Sequence, residues 1–235
     1  MCKITLHFSG KEAVSNLDKS TIQPPQTIFG SAADTARLAS EIEKLAAGQA
    51  RVLIAIAGAP GSGKSTFAEH LSGYLGKKAS VIPMDGFHLD NSVLEAKGLL
   101  SVKGAPQTFD CAGFAGLVSG MKEGTIEKFP TFDRALDKVI PEGGQLSKEA
   151  SILLFEGNYL LCDLPGWAGL ADMWDAGIWL DVPIDILRTR LVRRWRDHGL
   201  SDREAIKRAE ENDLKNARQV LAHALPARWV ISQKT

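Results

Sequence analysis

Residues 58–66 read Gly58-Ala59-Pro60-Gly61-Ser62-Gly63-Lys64-Ser65-Thr66, directly after the apolar run Val52-Leu53-Ile54-Ala55-Ile56-Ala57. The stretch fits G-x-x-x-x-G-K-[ST] without a gap. Glycines let the backbone curl so that successive N–H groups point inward at phosphate oxygens. A helix opening at about Ser65 would aim its positive N-terminus at the same point. Lys64 can reach the β- and γ-phosphates, and the Ser65 hydroxyl can ligate Mg2+. Residues 58–66 are therefore the candidate nucleotide-binding set.

The pattern around this loop decides the fold class. Val52–Ala57, Ala79–Met84, Ile152–Phe155 and Gly177–Val182 are short apolar runs of the kind buried on both faces of a parallel sheet. Helices are predicted over 31–47, 65–75, 109–121 and from Pro183 to about His198. Ser201-Asp202-Arg203-Glu204 reads as a capping box opening another, and Arg228–Ser232 as a last strand. Strands alternating with helices mean an α/β fold with a parallel sheet. Residues 124–146 read as short β pieces broken by Pro130, Pro141 and Gly143-Gly144. The division expected is an N-terminal extension over 1–30, with a turn or extended link at 21–26, followed by one domain over 31–235.

Composition narrows the function classes. Of 235 residues, 28 are Lys or Arg and 28 are Asp or Glu. A chain that wraps nucleic acid needs a basic excess, which is absent. No apolar run reaches the length of a membrane span. Three widely spaced cysteines, Cys2, Cys111 and Cys162, suit neither a disulfide framework nor a zinc knuckle, so a cytoplasmic setting is expected.

Three further segments carry candidate chemistry. In an open parallel sheet, ligands sit beyond the carboxyl ends of the strands. Asp85, closing the second run, could there take the proton of an attacking hydroxyl, or could simply serve the turn at Gly86. His88 could touch a substrate or merely pack. Glu156, closing the third run, stands where a Walker B acid would hold Mg2+, and Asn158 and Tyr159 are expected to face the same crevice. Arg190, Arg193 and Arg194 share one helical face, either a solvated basic surface or a lid closing on a transferring phosphoryl group. No [NT]-K-x-D segment for reading guanine occurs.

These segments together resemble the P-loop kinases of the phosphoribulokinase, uridine kinase and bacterial pantothenate kinase group. Met84-Asp85-Gly86-Phe87-His88 is similar to that group's segment with the catalytic aspartate. Lys103-Gly104-Ala105-Pro106-Gln107-Thr108-Phe109-Asp110 resembles the G-x-P-x-[ST]-[FY]-D stretch of pantothenate kinase, and Phe129-Pro130-Thr131-Phe132-Asp133-Arg134 its substrate-side β segment. Glu156-Gly157-Asn158-Tyr159-Leu160 and Glu211-Asn212-Asp213-Leu214-Lys215-Asn216-Ala217 follow in the group's order. The wording of Met84–His88 and Glu156–Leu160 is nearest to uridine kinase-like proteins labelled fructose transport system kinases.

The resemblance implies a P-loop NTPase fold with a five-stranded parallel sheet flanked by helices, a small β insertion and a helical lid. It implies ATP and Mg2+, Asp85 as base, a lid around residues 190–194 with Arg190 and Arg194 catalytic, and Asp133 and Arg134 near the acceptor. The expected reaction is γ-phosphoryl transfer to a hydroxyl of a small metabolite, a sugar such as fructose first, with pantothenate- or nucleoside-type acceptors as alternatives. A nucleotide-binding regulator or ATPase is the reading from another class. A homodimer is a candidate assembly.

Overall fold

The computed structural model describes residues 26–29 and 32–232. Its centre is a sheet of six parallel strands: β1 (Gln26–Phe29), β2 (Val52–Gly58), β3 (Ala79–Pro83), β6 (Ile152–Gly157), β7 (Ala176–Asp181) and β8 (Trp229–Ser232), with β4 and β5 forming a separate hairpin at Lys128–Asp133 and Lys138–Gln145. The order across the sheet is β1-β8-β7-β2-β6-β3. The five expected strands are all present. The sixth, β1, lies within the expected 1–30 extension, starting where the link read at 21–26 ends, and it extends the edge beside β8.

Strands β2 and β6 are buried along their whole length, which is why they read as continuous apolar runs rather than alternating ones. Alternate residues serve two cores. Val52, Ile54 and Ile56 face α1 (Ala32–Ala46) and α2 (Lys64–Leu75), meeting Leu38, Ile42 and Leu71. Leu53, Ala55 and Phe155 face the opposite layer, with Phe114 of α4 (Cys111–Glu123), which follows the short α3 (Asn91–Ala96), and Trp167 among their neighbours. The Asp110 carboxylate caps α4 by accepting from the Gly113 N–H at 2.9 Å.

The chain continues from β7 into α5 (Ile184–Asp197), α6 (Asp202–Arg208) and α7 (Leu214–Ala222). The Ser201–Glu204 capping box forms as read, with both reciprocal bonds. Between α6 and α7 lies a π-helical turn, Ala209–Asp213, which no local pattern announced. Among the described residues no helix is long and apolar enough to cross a membrane.

Candidate functional site

A cleft of about 400 Å3 opens beyond the carboxyl ends of β2, β3 and β6. Its floor is the loop between β2 and α2. Gly61 and Gly63 adopt φ of 82° and 89°, conformations that glycine reaches without strain. Pro60, Gly61, Gly63, Lys64, Ser65 and Thr66 line the cleft. Gly58, Ala59 and Ser62 do not. They are buried beneath the loop, and a Cβ on Gly58 would lie 2.9 Å from the Leu180 carbonyl oxygen, so the strand-to-loop exit is closely packed.

Lys64 lies almost wholly inside, with Nζ donating to the Ala59 carbonyl at 3.1 Å and to Asn158 Oδ1 at 2.7 Å. Burial lowers its pKa to about 8, against the pull of Glu156 and Asp85. Glu156 reaches the same place because β6 lies beside β2 with Ile56 opposite Glu156. Its carboxylate accepts from Ser65 Oγ at 3.0 Å. Burial, then the charge of Asp85, raises its pKa above the ordinary glutamate value. Ser65 and Glu156 therefore set two hard oxygen donors side by side at the loop end, the donor type that suits Mg2+.

Asp85 sits in the 3-10 turn after β3 and lines the cleft with His88. His88 is wedged between aromatic rings, 4.1 Å from Phe109 and 4.6 Å from Phe132 between centroids. Burial lowers its pKa, favouring the neutral ring. Its Nδ1 lies 2.8 Å from the Asp85 carbonyl oxygen, which places the proton on Nδ1 and leaves Nε2 as an acceptor.

Over the opening lies α5. Arg190 Nη1 approaches the Gly61 and Ser62 carbonyls at 3.4 Å each, and Arg194 is half-buried against the same space. Burial pulls the Arg194 pKa down, and the Asp213 carboxylate opposes that shift. The π-turn aims Asp213 at α5, where it accepts from Trp195 Nε1 at 2.5 Å. Arg193, on the same helix, does not line the cleft. It is 82% exposed and pairs with Asp197 on its own helix, at 3.8 Å.

Two other expected site residues stand elsewhere. Tyr159 is fully buried, packed against Phe109 and Trp167, with its hydroxyl donating to the Gly104 carbonyl. It holds the 104–109 segment in place and does not face the crevice. The Asp133 carboxylate turns back to accept from the N–H groups of Ala135 and Leu136, closing the hairpin turn, while Arg134 enters the cleft. Lys103, Phe109, Phe132, Asp213 and Asn216, which lie in the segments that carry the family resemblance, also line the cleft, and so do Asp137 and Arg208, which no sequence segment marked.

Residues 53–220 match the phosphoribulokinase / uridine kinase family. A Silicibacter sp. TM1040 protein whose crystal structure is described as a "putative fructose transport system kinase" is 45% identical and superposes with a TM-score of 0.78, over 83% of this chain and 98% of that one. A Schizosaccharomyces pombe protein named a "putative uridine kinase" is 35% identical over 181 residues, 72% of this chain and 77% of its own length. Pantothenate kinase of Yersinia enterocolitica is 31% identical over 155 residues, 61% of this chain and 49% of that enzyme.

Proposed function

The chain belongs to the phosphoribulokinase / uridine kinase family, and on that premise we propose that it is an ATP-dependent kinase acting on a hydroxyl of a small metabolite. The observation that carries the reading is that Asp85 lines the same cleft as Lys64, Ser65 and Glu156. A candidate base and a phosphate-binding loop thus share one space.

In this reading Gly61, Gly63, Lys64, Ser65 and Thr66, the loop residues in the cleft that carry an N–H, hold the nucleotide phosphates through those groups and the α2 N-terminus. Lys64, Arg190 and Arg194 neutralise charge on the transferring phosphoryl group. Asp85 accepts the proton of the acceptor hydroxyl. Ser65 and Glu156 would hold Mg2+, which when bound draws charge from the β- and γ-phosphate oxygens. Asn158 orients Lys64, and His88 with Phe109 and Phe132 forms a wall against which an acceptor ring or carbon chain can lie.

A sugar such as fructose is the first acceptor to test, because of the name given to the 45% identical Silicibacter protein. Pantothenate- and nucleoside-type alcohols come next, from the names of the other relatives. The test is ADP release from Mg-ATP with each compound in turn. One acceptor should stimulate turnover strongly, and Asp85→Asn should remove about 10²–10⁴-fold of it while Mg-ATP still binds. Acceptor-independent hydrolysis that Asp85→Asn leaves unchanged would instead favour a regulator or ATPase.

A further inference from the structure

Asp85 does not meet the cleft unaccompanied. The β4–β5 hairpin lays its tip across the acceptor half, and two ion pairs of opposite sense clasp it there. Arg134 Nη2, on the tip, donates to Asp85 Oδ2 at 2.5 Å. Asp137, three residues on, accepts from Lys103 Nζ at 2.7 Å and from Asn91 Nδ2 at 2.8 Å. Otherwise the tip is exposed, with Leu136 69% accessible. It is a strap fastened by charges rather than an element packed into a core.

Water and an alcohol make the same attack on a bound γ-phosphoryl group. In transfer, a bond forms between the acceptor oxygen and the γ-phosphorus. The bond from that phosphorus to the β–γ bridging oxygen breaks, its electron pair leaves with ADP, and the hydroxyl proton passes to Asp85. In hydrolysis a water oxygen takes the acceptor's place, and its proton passes to Asp85 and then to solvent. A free carboxylate base beside ATP serves both reactions. Selection for the acceptor therefore needs something that occupies the base until the acceptor arrives.

We propose that Arg134 discriminates the acceptor from water. It covers the Asp85 carboxylate when the acceptor is absent and gives it up when the acceptor's own oxygen atoms engage the guanidinium. This rests on Asp85 being the base, as proposed above. The geometry suits a removable cover. The Arg134 side chain is 58% exposed and the Asp85 side chain 25%, so the pair is open to solvent on the Arg134 side, where a ligand can reach the guanidinium and displace it.

The experiment uses Mg-ATP alone, with no acceptor, and measures ADP release and Mg-ATP affinity separately. Arg134→Gln should release ADP about ten-fold faster than the parent at unchanged affinity, within the range that a base contributes. Arg134→Lys, which keeps the charge but loses the fork, should fall between the two. In the Asp85→Asn background, Arg134→Gln should give no gain, because no base remains to uncover. No gain in Arg134→Gln, a decrease, or a gain that persists with Asp85→Asn would overturn the proposal. A parent protein that fails to bind Mg-ATP would overturn the kinase reading itself, an outcome the affinity measurement registers independently.

Discussion

The two halves of the cleft are built in different ways. The phosphate half comes from one nine-residue stretch and the neighbouring strand end. Lys64 and Glu156 are both buried, and the pairing of β2 with β6 fixes their relation. The acceptor half is assembled from the turn after β3, the 103–109 segment, the hairpin tip and the π-turn. Its cross-connections are side-chain pairs such as Arg134 with Asp85, Lys103 with Asp137, and Asn212 Nδ2 with the Lys103 carbonyl at 3.0 Å. Phosphate is the same ligand in every kinase and can be met by rigid backbone. The acceptor varies, and it is met by side chains on connecting segments that can change without disturbing the sheet.

If the halves are distinct, disabling the first should act alike with any acceptor. Lys64→Met removes the buried ammonium and its bonds to Ala59 and Asn158. Turnover should fall on the order of 10²–10³-fold, the loss typical of a group that stabilises transition-state charge. Steady-state rates with each active acceptor, and with none, would check this. A loss that depends on the acceptor would break the separation.

A smaller effect should come from the seam between the halves. A Cβ on Gly86 would lie 2.0 Å from the Pro130 carbonyl oxygen and 2.5 Å from its carbon, backbone atoms with nowhere to go. Gly86→Ala should therefore push the hairpin away from the β3 turn and destabilise the protein by roughly 1–3 kcal/mol, as overpacking does. Thermal denaturation reads the stability, and Mg-ATP titration reads the phosphate half. Affinity within about two-fold of the parent, beside a clearly lowered Tm, would sharpen the comparison.

The same contrast explains what the sequence disclosed. A phosphate loop is contiguous because its chemistry is done by consecutive N–H groups, so it can be read in a row. Asp85 and Glu156 were legible because each closes an apolar strand. The acceptor half converges only in three dimensions: Lys103 and Asp213 lie in segments that the family resemblance marked without giving them a role, and Asp137 and Arg208 carry no local mark at all. Two misplacements fall at strand ends. β6 ends at Gly157 and β4 at Asp133, so Tyr159 and Arg134 lie in the turns just beyond, and neighbours in a turn need not enter the same space: the cleft receives Asn158 but not Tyr159, and Arg134 but not Asp133. The π-turn at Ala209–Asp213 adds one residue to a helical turn, which no periodicity over so short a span reveals. The edge strand β1 has only four residues, and pairing with β8 supplies what its length does not.

The mildest test separates the halves by pH. Burial brings the Lys64 pKa down to about 8. Below that value the side chain carries its charge toward the phosphates, and above it the charge is lost, so ATP affinity should be flat near neutrality and fall as pH rises through about 8. By about pH 9 the loss should approach ten-fold if the neutral form does not bind. The acceptor half has no matching transition on this side of neutrality from His88, because burial lowers its pKa and keeps the ring neutral there. The alkaline limb should thus appear in the dissociation constant for ATP and leave the acceptor KM level. Lys64→Arg, weaker overall because its fork does not fit a single buried ammonium position, should flatten the limb. A limb that survives Lys64→Arg, or that moves into the acceptor KM, would mean that the alkaline titration belongs to the acceptor half.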